Sequence, residues 1–347
     1  MSGASYEAAG VSIDAGERAV ELMKASVARA TRPEVIGGLG GFAGLMRLDL
    51  GRWKAPLIAA STDGAGTKTA LAQALGRHDT IGQDLVAMVV DDLVVCGAEP
   101  LLVQDYIAVG KLDPEVVATI VGGIADGCRL SGAALLGGET AEHPGLMQPG
   151  EYDVAATAVG AVEADAVLGP ERVAAGDAVV ALASSGLHCN GYSLVRHVLA
   201  ASGADLAAPF GSRTLGEELL EPTRIYALDC LAAAAALPVR TWAHITGGGL
   251  AGNLARVIPA GLSAIVDRTT WAPAPVFGWV ARVGGVPVAE MERTFNMGVG
   301  MVGIVDASAA ADLVALLSDR GVPAWVAGEV SPGDGDAAYL TGEHPAG

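Results

Sequence analysis

The run from Ser61 to Pro100 constrains this chain more than any other stretch. It opens with Thr62-Asp63-Gly64-Ala65-Gly66-Thr67-Lys68 and continues with Gly82-Gln83-Asp84-Leu85-Val86-Ala87-Met88-Val89-Val90-Asp91-Asp92, then Gly97-Ala98-Glu99-Pro100. Any fold must place a lysine, a Gly-x-Gly pair and several carboxylates around one strongly apolar helix. The apolar run Pro56–Ala60 reads as a strand that ends in Asp63 and the Gly-x-Gly turn. Glycines let backbone N–H groups approach phosphate oxygens with no Cβ in the way. Lys68 adds a point charge for a phosphate. The second block reads as a helix ended by Gly97, with Pro100 preventing continuation. At about 100° per residue, Asp84, Met88 and Asp91 share one face and Asp92 sits beside it. Magnesium takes oxygen ligands, commonly a few carboxylates plus substrate phosphates. Either block alone would pass for a turn or a solvated helix edge; together they favour a metal-bound polyphosphate. The spacing is not that of a Walker loop, and no His-Arg-Asp or Asp-Phe-Gly set follows as in protein kinases.

A chain of 347 residues makes two domains of ordinary size, expected at 1–170 and 171–347, both mixing helices and strands. The expected class is α/β (α+β). Aromatic residues are only 4%, so the core must be built from Ala, Val and Leu. A formal charge of −18 argues against a nucleic-acid partner, whose phosphates are met by basic side chains. An anionic substrate must instead be held locally, by amides, helix N-termini and a few cations. The mean hydropathy of +0.43 raises the question of a membrane. No apolar run approaches the roughly 20 residues of a spanning helix, and the N-terminus lacks a signal pattern. Cys96, Cys128, Cys189 and Cys230 form no Cys-x-x-Cys pair, which fits reduced thiols and a cytoplasmic protein.

Along the chain, Asp14 and Glu17 resemble a capping box for a helix that Pro33 ends, with Lys24 and Arg29 as its cations. Gly37-Gly38-Leu39-Gly40-Gly41-Phe42 reads either as a linker or as a flap that closes over a nucleotide. Leu101–Val109 reads as a strand. Asp113-Pro114-Glu115 starts a helix that runs to about Gly132. Ala133–Leu136 is a strand emptying into the turn Gly137-Gly138-Glu139-Thr140, where Glu139 is a ligand, a base or a plain turn residue. Asp153–Val162 and Asp177–Ala183 are further strands. The loop Ser184-Ser185-Gly186-Leu187-His188-Cys189-Asn190 opens a helix from Ser193, the geometry of an anion site. His188 is a base or a loop hydrogen-bonder. A helix is expected over Pro222–Ala236. Thr246-Gly247-Gly248-Gly249 is a second candidate anion loop. Arg293–Met301 leads into a strand, Ala309–Arg320 is a helix and Ala324–Val330 a strand. The polar tail from Ser331 is expected to fray.

These blocks, in this order, closely resemble the phosphoribosylformylglycinamidine cyclo-ligase (aminoimidazole ribonucleotide synthetase) family. The resemblance rests on Ser5-Tyr6, Ile13-Asp14-Ala15-Gly16, Arg32-Pro33-Glu34-Val35, the Gly37–Phe42 run, Asp63-Gly64, Gly66-Thr67-Lys68 and Arg77–Gly82. It continues through Gly97–Pro100, Gly137–Glu142, Ser184–Arg196, Pro222–Tyr226 and Thr246–Gly249, and so covers nearly the whole chain. It implies an N-terminal ATP-binding and dimerisation domain and a C-terminal substrate domain. It implies a homodimer whose N-terminal sheets pair into a barrel. The implied reaction is ATP-dependent ring closure of formylglycinamidine ribonucleotide in purine synthesis, with Mg2+. Lys24, Asp63, Lys68 and His188 are the expected catalytic groups. The nucleotide is expected on Gly37, Gly38, Gly40, Gly41, Asp63, Gly64, Gly66, Thr67, Lys68, Glu139 and Thr140. The ribonucleotide is expected on Ser184, Ser185, Gly186, His188, Asn190 and Thr246–Gly249, and the metal on Asp63, Asp84, Asp91, Asp92 and Glu139.

Two positions depart from the family pattern. Family members often carry Asn where Asp91 stands, and Leu250 replaces the aromatic usual after the triple glycine. Among related activities, a selenophosphate synthetase would need a reactive Cys near the N-terminus, and here the first is Cys96. A hydrogenase-maturation protein would need a C-terminal cysteine, and none follows Cys230. A thiamine-phosphate kinase would lack the Ser184–Arg196 block. A non-catalytic nucleotide binder would be expected to lose some of Asp63, Lys68, Asp84, Asp92 and Glu139; all are present.

Overall fold

The structure, a computed structural model, describes residues 6–38 and 41–345. Gly40 of the expected flap and Ser5 of the expected arm lie outside the described residues. The chain divides into two compact units: residues up to Val90 with Pro100–Glu163, and Asp91–Glu99 with Ala164 onward.

The first unit is built on a four-stranded sheet in the order Pro56–Gly64, Tyr152–Glu163, Glu99–Val109, Ala134–Glu142. The first pair is antiparallel and the last parallel. The Pro114–Ser131 helix packs against the Ile13–Arg29 helix and the Ala134–Glu142 strand. Its Asp113 cap forms as the sequence indicates, accepting from the amides of Glu115 and Val116, and Gly132 closes the far end. The apolar Ile81–Val94 helix is buried along Leu85, Val86, Val89 and Val90.

Several expectations change. The Ile13–Arg29 helix is capped by Ser12, whose side chain accepts from Ala15 N, and not by an Asp14–Glu17 box. Glu142 fixes this start by accepting from Ser12 N at 2.7 Å and Leu112 N at 2.8 Å. Asp63-Gly64 and Gly137–Thr140 are not turns. Both are strand residues, held by the ladders that pair Asp63 with Ala156 and Gly138 with Asp105.

The second unit carries a six-stranded sheet ordered Val239–His244, Val299–Val305, Ala178–Ala183, Ala324–Pro332, Leu262–Asp267, Ala338–Thr341. Its core runs through Val179, Ala181, Ile245, Leu250, Val302 and Ile304. The tail does not simply fray: Ala338–Thr341 adds a parallel strand beside Leu262–Asp267. The helix expected from Pro222 begins only at Ala227. Among the described residues, no helix is long and apolar enough to cross a membrane.

Candidate active site

In the first unit, three adjoining hollows of about 380, 420 and 370 Å³ lie between the Ile13–Arg29 helix, the glycine segment and the Ala134–Glu142 strand. Lys24, Gly37 and Gly38 line one of them. Gly41, Glu139 and Thr140 line its neighbour. Lys24 is paired with Glu21 at 2.5 Å on the surface. An exposed pair of this kind contributes little, so the ammonium can turn to a ligand at small cost.

A residue missed in the sequence lines the same hollows. Asp105 stands in register with Gly138, and a Cβ on that glycine would come 2.4 Å from Asp105 Oδ1. Burial pushes the Asp105 carboxyl up to about 7. The only signal was an acid beside Gln104 inside a largely apolar strand.

The other half of the expected nucleotide set sits elsewhere. Asp63 and Gly64 end the Pro56–Gly64 strand at one edge of the sheet, and Glu139 is on the opposite edge strand. Two strands lie between, so the edges are three interstrand steps apart, about 14 Å at the usual spacing. Asp63 and Glu139 of one chain therefore do not share an ion, a correction to the expected metal set. Among the described residues, no three acid, His or Cys side chains gather into a metal site. Gly66 and Thr67 form the turn into the Lys68–Leu75 helix. Lys68 is not an open point charge. Its ammonium lies 2.8 Å from Asp84 Oδ1, and both side chains are wholly buried. Each neutralises the other, because an isolated charge could not be buried here.

Asp91 is buried at 0% exposure and belongs to the second unit. Its Oδ1 accepts from Tyr226 N at 2.9 Å, and Ala227 N adds a second bond. A side chain from a distant part of the chain thus caps the Ala227–Ala236 helix, which is why that helix starts late. Oδ2 of Asp91 has no hydrogen-bond partner in the structure. Burial pushes the carboxyl up to about 7, opposed by His244 and the two amides. The geometry makes Asp91 a helix cap in place of the expected metal ligand. An Asn here would keep the acceptor oxygen and drop the charge.

The sign of the pH effect follows. The folded pKa lies above the unfolded 3.8, so ionisation costs stability as pH rises from about 4 to about 7. In chelator-treated protein, Asp91→Asn should melt above the wild type well above pH 7, with the gain vanishing near pH 4. Asp91→Ala should lose roughly 1–2 kcal/mol from the cap at low pH. Melting curves that place Asn and Ala together at every pH would refute the capping role.

Asp92, half exposed, lies 2.9 Å from His244 Nδ1, and His244 leads into the second glycine loop. That histidine is a further residue the sequence reading left without a role. In the Ser184–Asn190 loop, both hydroxyls are committed internally, contrary to the expectation that they face a phosphate. Ser184 Oγ donates toward Gly186 O at 2.9 Å. Ser185 Oγ donates to Pro222 O at 2.6 Å and accepts from Arg224 N at 3.1 Å. His188 is buried in the left-handed region at φ 63°, and its Nε2 accepts from Ser185 N at 3.1 Å. That bond needs an unprotonated Nε2, so the ring serves the loop as a neutral acceptor.

The loop runs to Asn190 ahead of the 11-residue Tyr192–Ser202 helix. A Cβ on Gly247 would stand 3.5 Å from Asn190 Oδ1, so the two candidate loops converge there. The second loop is gripped by Asn253, whose Nδ2 lies 3.2, 3.2 and 2.9 Å from the carbonyls of Thr246, Gly247 and Gly249. Gly248 precedes a helix of only 6 residues.

Comparison with known proteins accounts for both units. The model of the AIR synthase related protein N-terminal domain matches residues 43–162, and that of its C-terminal domain matches residues 174–341. The fold and these matches define the class as AIR synthase related proteins. Over 96% of its length the chain is 51% identical to the phosphoribosylformylglycinamidine cyclo-ligase of Anaeromyxobacter sp. (strain Fw109-5), covering 97% of that protein. The chain belongs to the phosphoribosylformylglycinamidine cyclo-ligase family. Among solved structures, the thiamine-monophosphate kinase of Stenotrophomonas maltophilia K279a is similar at a TM-score of 0.67 and 19% identity, with 94% of this chain and 97% of that one covered. The hydrogenase maturation protein HypE in complex with ATP is similar at 0.64 and 18%, with 93% and 88% covered. At these identities the likeness is one of fold.

Proposed function

We propose that this chain converts formylglycinamidine ribonucleotide and ATP into aminoimidazole ribonucleotide, ADP and phosphate, a ring closure of purine biosynthesis. The observation that carries this reading is 51% identity to a cyclo-ligase over nearly the full length of both proteins. The formamide oxygen takes a phosphoryl group from ATP, which turns a poor leaving group into a good one. A nitrogen then closes on the same carbon and phosphate departs. Such chemistry asks the protein for positioning and charge neutralisation. The related kinase and hydrogenase-maturation activities are not favoured, because those neighbours resemble the chain at under 20% identity.

The hollows beside Lys24, Gly37, Gly38, Gly41, Glu139 and Thr140 are the proposed nucleotide site of the N-terminal domain, with Asp105 at their wall. Asp63 of one chain and Glu139 of a second copy would hold magnesium, which needs few protein oxygens when phosphates supply the rest; Asp84 is taken up by Lys68. When bound, magnesium would screen the phosphate charge. The protein is proposed to work as a cytoplasmic homodimer. Leu57 and Ile58 are adjacent on the edge strand and both exposed. Neighbouring strand residues point to opposite faces, so this edge is uncovered on both sides. A sheet paired with a second copy would cover it and bring an Asp63 edge to a Glu139 edge.

The Ser184–Asn190 loop is the proposed seat of the ribonucleotide 5′-phosphate in the C-terminal domain. It is preferred to Thr246–Gly249 because its helix is 11 residues against 6, long enough for a useful N-terminal dipole. An ADP-release assay with the formylglycinamidine nucleotide tests the activity; no release with that substrate would refute it. Asn190→Asp tests the loop, since it keeps the side-chain shape and exchanges the amide donor for a negative charge. KM for the ribonucleotide should rise by roughly tenfold or more, about 1.4 kcal/mol, while KM for ATP stays nearly constant. An equal rise in both, or in neither, would place the phosphate elsewhere.

A further inference from the structure

The segment Arg293–Met301 looked in the sequence like a lead-in to a strand. In the structure it does more. After the Val288–Thr294 helix the chain turns at Asn296, which is only 3% exposed. Its Oδ1 accepts from Gly298 N at 2.8 Å and lies 3.2 Å from Ser184 Oγ. Its Nδ2 donates to Gly186 O at 2.9 Å. Next to it, Met297 sits in the left-handed region at φ 49°, where a side chain other than Gly is uncommon. Trp271 Nε1 holds that conformation by donating to Met297 O at 2.9 Å. Ser184 N donates to Gly298 O at 2.9 Å, so the segment and the loop are joined through backbone as well.

The chemistry at position 296 is specific to a carboxamide. One end must accept and the other must donate. A leucine would take away one of the two donors to the Gly186 carbonyl, leaving only Ser184 Oγ, and a carboxylate would set a negative oxygen against that carbonyl. A buried polar residue with both ends satisfied fixes one arrangement of its neighbours. Here the arrangement fixed is the backbone between Ser184 and Gly186. We propose that Asn296 is a positioning residue for the ribonucleotide: it holds the Ser184–Asn190 loop in its phosphate-receiving shape before substrate arrives. This rests on the reading of that loop given above. A preorganised loop spares the ligand the cost of ordering it, and misplacement by about 1 Å can cost roughly a hundredfold.

The test uses Asn296→Ala and Asn296→Asp in the full-length protein, with Asn190→Asp beside them. Both substitutions at 296 should raise KM for formylglycinamidine ribonucleotide by roughly ten- to a hundredfold. KM for ATP should stay within about twofold, because the nucleotide hollows lie in the other unit. A purely structural role would lower the melting temperature and leave both KM values of the folded enzyme alike. Asn296→Asp keeps the side-chain shape and decides the matter if the alanine variant does not fold. Unchanged ribonucleotide KM in folded variants, or equal rises for both substrates, overturns the proposal. If Asn190→Asp raises that KM and the 296 variants do not, only the role of Asn296 falls. If Asn190→Asp has no effect, the phosphate loop itself is misassigned and the proposal falls with it.

Discussion

Lys68→Met should lose about 3–5 kcal/mol of folding stability, the usual result of leaving one partner of a buried pair unmatched. The reason is the 2.8 Å contact between Lys68 and Asp84, with neither side chain reaching solvent. Urea denaturation would measure it. The double variant Lys68→Met/Asp84→Leu should recover most of the loss, because it removes both charges from the interior. It should still lack turnover if Lys68 meets a phosphate in the working enzyme. The pair of variants therefore separates folding from chemistry. A single variant within about 1 kcal/mol of the wild type would mean the pair is not what neutralises the buried charge. A stable double variant with normal turnover would remove Lys68 from the catalytic set.

Ile58→Asp should convert the protein to a monomer and abolish ring closure. Ile58 is 62% exposed on the Pro56–Gly64 edge strand, beside Leu57 at 49%. A carboxylate buried in a subunit interface without a partner costs several kcal/mol. Sedimentation equilibrium and the ADP-release assay should fall together, since Asp63 and Glu139 stand on opposite edges of one sheet. An active monomer would rule out a site completed across the dimer. A dimer that survives the substitution would place the interface on another surface.

The sequence read well where the signal was local. The Asp113 cap with Pro114, the Gly132 stop and the apolar helix around Val89 all follow from neighbours within a turn or two. It read poorly where a distant residue decides. The Ala227–Ala236 helix starts late because Asp91 supplies its cap from 135 positions away. Glycines and an acid at 137–140 signalled a turn, yet a parallel ladder to the Glu99–Val109 strand holds them extended. The same limit shaped the site. The resemblance grouped the glycines with Glu139 and Thr140, and their described members line adjoining hollows, one of which Lys24, expected among the catalytic groups, also lines. The acid set was not legible, because strand order separates Asp63 from Glu139, and burial turns Asp84 and Asp91 inward. Asp105 carried no spacing pattern at all.

The Asp91 cap also bears on how the chain can be cut. Residues Asp91–Glu99 belong to the second unit, although they are translated between two parts of the first. A fragment beginning at Ala164 would have lost the acceptor for Tyr226 N, the carbonyl of Cys96 that receives Leu168 N, and Val95 from the edge of its core. The seam between the two matched domains is therefore not a place where the chain can be cut cleanly. The second half has to borrow nine residues from the first, Asp91–Glu99, so a fragment meant to fold as the second unit has to carry them.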